Sequence, residues 1–458
     1  AAGDRITAGQ GTNIVFGDHG FVDWVILDND PSDIDLVWST DTALGGADTI
    51  FTGEGDDLVI GGTDDDTIVV AGGDNIVLGD NGRVTAAASD APRWGLPNGL
   101  LAATASGLSL VMTLGRIETL DASIGGADVI SSGDGDDIVL GGTAGDLITA
   151  GAGTNIVLGD HGFIDWVVLD NDPSDIDLIW STDTAIGGAD TIVTGDGDDI
   201  VIGGTDADVI AASNGKNIVL GDNGRITASE TGVDWNAVLT LGRIETIDAS
   251  IGGPDTITTG SGDDIVLGGA AQDAIDAGQG SNVVLGDHGG VAWVVIGPGQ
   301  IAFTVWSTDP DPDVGDDDTI VTGDGDDLVF GGTGNDTINV GNGHNLVLGD
   351  SGRYYLRTEL TPSWSLLPVT IGRLETTDPA IGGNDRITSG NGIDWIAGGA
   401  GNDLIRSGAG DDAVLGDNGT FDFVDIGSVL HGLHVTSTAN TIGGDDTIYA
   451  EDGDDLVI

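Results

Sequence analysis

Aspartate returns at every ninth residue through most of the chain. Asp48, Asp57 and Asp66 stand nine apart, as do Asp128, Asp137 and Asp146. The series runs on through Asp190, Asp199 and Asp208; Asp255, Asp264 and Asp273; Asp318, Asp327 and Asp336; and Asp385, Asp394, Asp403 and Asp412. Asp4, Asp446 and Asp455 extend it to both ends. The chemistry open to such a series is ligation of a hard cation by ionised carboxylates. If folding lines these positions up, the carboxylates repel one another unless cations sit between them.

The residues around each aspartate say how it is positioned. A clean copy reads Gly61-Gly62-Thr63-Asp64-Asp65-Asp66-Thr67-Ile68-Val69. Glycines at the first, second and fourth positions permit positive φ and a tight turn. The last three residues are β-prone with an apolar residue in the middle. Each nonad therefore reads as a turn followed by a short strand, with one side chain per strand pointing inward. Such a unit cannot bury a core alone, but stacked neighbours form a continuous thin core of Ile and Val rows. Two nonads make one coil with a turn on each flank. Successive coils then place equivalent aspartates about 4.8 Å apart, the ordinary strand spacing. Carboxylates together with the carbonyls of a glycine-rich turn make an all-oxygen site, which suits Ca²⁺. The alternative is that acidic turns serve solubility alone. Glu would serve as well for that, yet 70 of the 77 acidic residues are Asp.

This nonad resembles the G-G-x-G-x-D-x-U-x repeat of the RTX family. The resemblance implies an all-β fold, a parallel β-roll or β-helix solenoid, here interrupted by β-hairpin inserts. It also implies many Ca²⁺ ions, held between successive turns by the sixth-position Asp and turn carbonyls. Every aspartate of the series above is carried over as a ligand on that basis. The family further implies type I secretion, with a chain unfolded in the calcium-poor cytosol that folds outside.

A longer period overlies the nonad. Gly-Asp-x-Gly recurs with its first glycine at Gly17, Gly79, Gly159, Gly221, Gly286, Gly349 and Gly416. It divides one continuous array into units at about 1–19, 20–82, 83–162, 163–224, 225–289, 290–352, 353–419 and 420–458. In most units the fourth nonad carries Asn in place of Asp, at Asn13, Asn75, Asn155, Asn217, Asn282 and Asn345. Asn keeps an oxygen but loses the charge, so calcium there is expected to be weak or absent. The neighbouring Asp80, Asp160 and their equivalents are candidates to supply the missing charge.

Inserts follow each Gly-Asp-x-Gly and alternate between two kinds. One runs from Phe21 to Trp38 and is repeated at 163–180 and, loosely, at 291–306. The other begins at Arg83, Arg225 or Arg353 and ends in Leu-Gly-Arg-Ile-Glu-Thr or a close variant. Both read as hairpins; the last insert, 420–440, matches neither. Nine of the ten tryptophans lie in inserts, and they are expected to cover the apolar edge of the roll rather than to bind sugar. Trp94 and Trp364, near variable tips, are the better candidates for an exposed contact. Glu118, Glu245 and Glu375 each follow an Arg by two residues, which suggests cross-strand ion pairs. His19, His161 and His288 share a turn position with Asn81, Asn223 and Ser351, so they read as turn chemistry rather than a catalytic base. The acidic loop at 28–33 hints at a further calcium loop but lacks the glycine and terminal Glu of an EF-hand.

Composition narrows the partners. With 12 Lys+Arg against 77 Asp+Glu, the formal charge is −65, which disfavours nucleic acid and anionic membrane surfaces. There is no cysteine, and no apolar run approaches a membrane span. The expected function is a calcium-stabilised extracellular structural element without catalytic activity: a fibre, matrix, surface-layer or adhesin stalk, at the bacterial cell surface or beyond it. Alternatives are the repeat region of a secreted toxin or hydrolase, and a glycan-binding module. Asp4 continues the phase of Asp455 if a Gly-Gly pair is inserted between the ends. The expected partners are therefore flanking segments or further copies of the same fibre, with extracellular glycan or a cell surface as the other possibility.

Overall fold

The computed structural model describes residues 3–27, 29, 31–88, 112–234, 239–297, 300–308, 316–357, 372–425, 431–439 and 441–458. Trp94, Trp235 and Trp364 lie outside them. The chain gathers into two compact units. One comprises Ala1–Ala212, Arg225–Ala228 and Asp234–Thr240; the other comprises Ser213–Gly224, Ser229–Val233 and Leu241–Ile458.

In the first unit the nonads alternate between two parallel sheets, as two nonads per coil require. The first sheet contains Arg5–Thr7, Thr49–Phe51, Thr67–Val69, Val129–Gly133, Leu147–Ala150, Thr191–Val193 and Val209–Ala211. The second contains Ile14–Phe16, Leu58–Gly62, Ile76–Asp80, Ile138–Leu140, Ile156–Leu158 and Ile200–Gly204. The second unit repeats the plan, with first-sheet strands from Thr256–Thr258 to Thr447–Tyr449 and second-sheet strands from Ile218–Asp222 to Leu456–Val457. Each unit is thus a parallel β-roll.

The core has a definite grain. Every first-sheet strand of the first unit centres on Ile, as at Ile50, Ile68, Ile130, Ile148, Ile192 and Ile210, and these six are buried. Second-sheet strands there centre on Val, as at Val59, Val77, Val139, Val157 and Val201. The expectation of one buried side chain per strand holds for the first sheet, whose outer positions Val129, Leu147, Val193 and Val209 are exposed. It fails for the second, where Leu58, Val59 and Ile60 are all buried, as are Ile76, Val77 and Leu78. The reason is a third layer.

That layer is made by the inserts. In the first unit Gly20–Asp23, Leu36–Ser39, Gly82–Ala86, Leu114–Thr119, Gly162–Asp165 and Leu178–Ser181 join edge to edge as one antiparallel sheet. The second unit does the same, and 420–440 proves to be a hairpin too, with Gly419–Asp425 paired to His431–Ser437. The layer lies on the outer face of the second sheet. Leu114, Trp166, Ile176 and Leu239 from the inserts face Ile138, Ile156 and Ile200 around a cavity of about 210 Å³. Covering that face explains the buried triplets and removes apolar area from water at roughly 25 cal/mol per Å².

Candidate metal centres

The two flanks of each roll carry different columns. On one flank, in the turns that enter the first sheet, every rung carries Asp. The first unit contributes Asp4, Asp48, Asp66, Asp128, Asp146, Asp190 and Asp208, and the second contributes Asp255, Asp273, Asp318, Asp336, Asp385, Asp403 and Asp446. One carboxylate oxygen of each rung accepts the backbone N–H of the rung before it. Asp48 N–H donates to Asp66 Oδ1 at 2.6 Å, Asp66 to Asp128 at 2.7 Å, and Asp128 to Asp146 at 2.7 Å. In the second unit Asp273 donates to Asp318 at 2.8 Å and Asp336 to Asp385 at 2.9 Å.

At nine of these rungs the other oxygen is orphaned. Oδ2 of Asp48, Asp66, Asp128, Asp146 and Asp190 is buried with no hydrogen-bond partner, as is Oδ2 of Asp273, Asp336, Asp385 and Asp403. It faces a notch left by glycine. A Cβ on Gly61 would collide with both Asp66 Oδ2 and the Gly79 carbonyl oxygen of the next rung. Gly141 meets Asp146 Oδ2 and the Gly159 carbonyl in the same way, and Gly331 meets Asp336 Oδ2 and the Gly349 carbonyl. Glycine is required here so that oxygens from successive rungs can share one space.

Burial and mutual repulsion make these carboxylates hard to ionise. Asp66 is pushed up to about 8, first by burial and then by Asp48, Asp18 and Asp80 against an opposing backbone hydrogen bond. Asp128 rises to about 9 through burial and then Asp80. Asp146 rises to about 10 through burial, then Asp190 and Asp128. A cation at each rung reverses this balance, since an opposite charge nearby favours the ionised form.

Asp80 belongs to this flank, not to the flank that carries Asn75. Its carboxylate accepts N–H bonds from Gly126 at 2.9 Å and from Thr143 at 2.5 Å. Asp160 likewise accepts from Gly188 at 2.9 Å and Thr205 at 2.6 Å. The expectation that these residues supply charge to the Asn rungs is therefore corrected. Strand Ile76–Asp80 lies between Asn75 and Asp80, and at about 3.3 Å per residue it carries the chain from one flank to the other.

The second flank, in the turns that enter the second sheet, is mixed. The first unit reads Asn13, Asp57, Asn75, Asp137, Asn155, Asp199; the second reads Asn217, Asp264, Asn282, Asp327, Asn345, then Asp394, Asp412 and Asp455. Here Asp137 and Asp327 find neutral donors for both oxygens, whereas Oδ2 of Asp57 and Asp264 is buried without one. Asp137 Oδ1 accepts from Asn75 N–H at 2.9 Å and Nδ2 at 3.0 Å, and its Oδ2 accepts from Ser132 Oγ at 2.6 Å. Thr322 Oγ1 donates to Asp327 Oδ2 at 2.6 Å. Asp137 and Asp327 rise to about 7, with burial the main cause and the Ser132 and Thr322 hydroxyls the first opposing ones.

These hydroxyls are functional residues that the sequence reading passed over, although the chain records them. Thr52, Ser132, Thr194, Thr259, Thr322, Ser389 and Ser407 each stand five residues before an Asp of this flank. Ala8, Val70, Ala150, Ala212, Ala277 and Val340 stand five before an Asn, and only Ala450 before Asp455 breaks the rule.

His161 Nε2 and His288 Nδ1 each lie 3.1 Å from a threonine hydroxyl, Thr143 and Thr246, and burial lowers His288 to about 4. Trp166 and Trp293, both in inserts, are buried, whereas Trp38 is 39% exposed. Trp180 and Trp306 lie beneath the guanidinium groups of Arg225 and Arg243. Glu118 pairs with Arg83 across strands and with Arg116 at 2.9 Å along its own.

Among the described residues no three carboxylate or imidazole side chains converge on one point. Any cation on the carboxylate flank would be held by one or two carboxylates and by main-chain carbonyls such as those of Gly79, Gly159 and Gly349. An all-oxygen set with buried, unpaired carboxylate oxygens fits calcium, which would neutralise the column and tie neighbouring rungs together.

The family described as RTX calcium-binding nonapeptide repeat (4 copies) matches residues 42–77, 131–162, 184–225, 251–284, 314–352, 388–420 and 443–458, together about half of the chain. No curated protein and no solved structure matches.

Proposed function

We propose that this chain, which belongs to the RTX family of calcium-binding nonapeptide repeat proteins, is a structural element of the bacterial cell exterior that calcium folds and stiffens. Repeats of this family bind Ca²⁺ and typically belong to secreted bacterial proteins. The reading rests on one observation, the column of buried Asp oxygens without a hydrogen-bond partner. A structural rather than catalytic role is supported by the roll pattern, which both units repeat from end to end. A stalk, fibre, matrix or surface layer uses such repeats directly. Flanking segments or further copies of the chain are its partners in that role.

The test is a titration of the whole chain. Circular dichroism in EGTA should show a disordered chain, and millimolar Ca²⁺ should restore β structure. Mg²⁺ should serve poorly because it dehydrates reluctantly and demands a tighter octahedron. A spectrum indifferent to EGTA would overturn the calcium reading. Electron micrographs in calcium test the structural role: filaments or a two-dimensional lattice support it, and dispersed particles at high concentration oppose it.

Glycan binding by the inserts is the second reading, favoured by Phe21 and Trp38, which pair across strands and are 43% and 39% exposed. A glycan array read with the Trp38→Ala variant decides it.

A further inference from the structure

The mixed flank poses a question the carboxylate flank does not. Asn75, Asn155, Asn217, Asn282 and Asn345 are fully buried, and the surroundings of their side chains are those of a cation. Nδ2 of Asn75 lies 3.2 Å from the Ala71 carbonyl oxygen, 2.8 Å from that of Gly73, 2.9 Å from that of Ser132 and 3.0 Å from Asp137 Oδ1. Nδ2 of Asn155 lies 3.0 Å from the Gly151 carbonyl oxygen, 3.2 Å from that of Gly153 and 3.0 Å from Asp199 Oδ1. The amide orientation follows from its other end. Asn75 Oδ1 accepts Asp57 N–H at 3.0 Å and Asn155 Oδ1 accepts Asp137 N–H at 3.2 Å, so only the nitrogen can face the oxygens.

We propose that on the mixed flank the Asn amide nitrogen takes the place of a calcium ion, so that only the carboxylate flank loads calcium along its whole length. This rests on the reading of the carboxylate column as calcium sites. Three features agree. The carbonyl oxygens that would ligate an ion at these rungs are already occupied by an N–H donor. Asp side chains on this flank are two rungs apart, about 9.6 Å rather than 4.8 Å, so each repels its nearest like neighbour at most half as strongly. At Asp137 and Asp327 the second oxygen is met by a hydroxyl, that of Ser132 or Thr322.

The same logic locates an exception. Asp394, Asp412 and Asp455 are consecutive carboxylates, linked by N–H bonds of 2.9 and 3.1 Å. Oδ2 of Asp394 and of Asp412 is buried and unpartnered, as it is at Asp57 and Asp264, but here the two stand on consecutive rungs. Calcium loading therefore returns to the mixed flank over these last rungs.

The test uses the full chain and calcium itself. Bound calcium at saturation is measured by atomic emission after equilibrium dialysis. Asp128→Asn should lower the count by one or two ions. Asn75→Asp should raise it by at least one and raise the calcium concentration needed for folding. An unchanged count and midpoint in Asn75→Asp, with the count still lowered in Asp128→Asn, overturns the proposal but leaves the calcium reading intact. No bound calcium in the parent chain overturns both. A second measurement holds whether or not Asn75→Asp folds. Terbium ions located by anomalous diffraction from the parent chain should lie beside Asp66, Asp128, Asp394 and Asp412, and none beside Asn75 or Asn155. An ion beside either Asn overturns the proposal.

Discussion

The two flanks of the roll face one electrostatic problem and meet it differently. Both stack acidic turns at strand spacing. On the carboxylate flank each rung repeats Asp, leaves Oδ2 of Asp66, Asp128 and Asp146 bare, and raises their pKa values to between about 8 and 10. On the mixed flank the rungs alternate, a hydroxyl or amide meets each carboxylate of the Asp137 and Asp327 kind, and the pKa values reach only about 7. The difference teaches that a repeat can be neutral in backbone and divided in chemistry. One side meets Asp137 and Asp327 with its own donors, and the other leaves bare the oxygens that a cation would neutralise.

The largest break in this comparison comes from pH in EGTA. A carboxyl group whose pKa is raised on folding stabilises the fold fully below its ordinary value of 3.8, and that stability is lost as pH rises toward the folded value. For Asp66 and Asp403 the window closes near pH 8, and for Asp128 near pH 9. The calcium-free chain should therefore hold more β structure at pH 5 than at pH 8, by circular dichroism. Hydrogen exchange should show the amides of Asp66 and Asp128 still losing protection between pH 7 and pH 9, where those of Asn75 and Asn155, bonded to Asp137 and Asp199, have stopped. Simultaneous loss on both flanks would erase the distinction drawn here.

A smaller break is steric. Gly61→Ala drives a methyl group into Asp66 Oδ2 and the Gly79 carbonyl. Overpacking of this kind costs about 1–3 kcal/mol, and it should also lower calcium affinity. Gly9→Ala on the mixed flank meets nothing within 4 Å and should change stability by less than about 0.5 kcal/mol. Calcium titrations followed by circular dichroism compare the two variants. Equal effects would mean that the notch at Gly61 does not serve the ion.

Much of this was legible in the sequence, and the misses have physical causes. The nine-residue period gave the strands, the coil and the aspartates, because a turn needs glycine and a strand needs Ile68 or Val77 at fixed places. The insert layer left a signal as well. Thr49-Ile50-Phe51 and Thr67-Ile68-Val69 carry a polar outer residue, whereas Leu58-Val59-Ile60 and Ile76-Val77-Leu78 are apolar throughout, the mark of a strand buried on both faces. The flank of Asp80 was harder to read. Gly62 pairs with Asp80, yet along the chain Asp80 sits beside Asn75, and only strand geometry separates them. The hydroxyl rule was present but unread, because its two residues are five apart and its meaning lies in which atom donates.

That rule yields the finest test. Thr322 and Asp327 face each other on a rung whose neighbours carry Ala277 with Asn282 and Val340 with Asn345. Thr322→Ala should leave Asp327 Oδ2 buried without its donor, a loss of about 1–2 kcal/mol. Asp327→Asn should remove the need for that donor, because its amide nitrogen donates where a carboxylate oxygen accepts. The double variant then reproduces the pairing of its neighbours, and it should be more stable than the sum of the single changes implies. A double-mutant cycle by denaturant unfolding in saturating calcium should give a coupling of about 0.5–1.5 kcal/mol. Additive losses would show that Thr322 serves the fold for some reason other than Asp327, and the alternation of the mixed flank would lose its chemical ground.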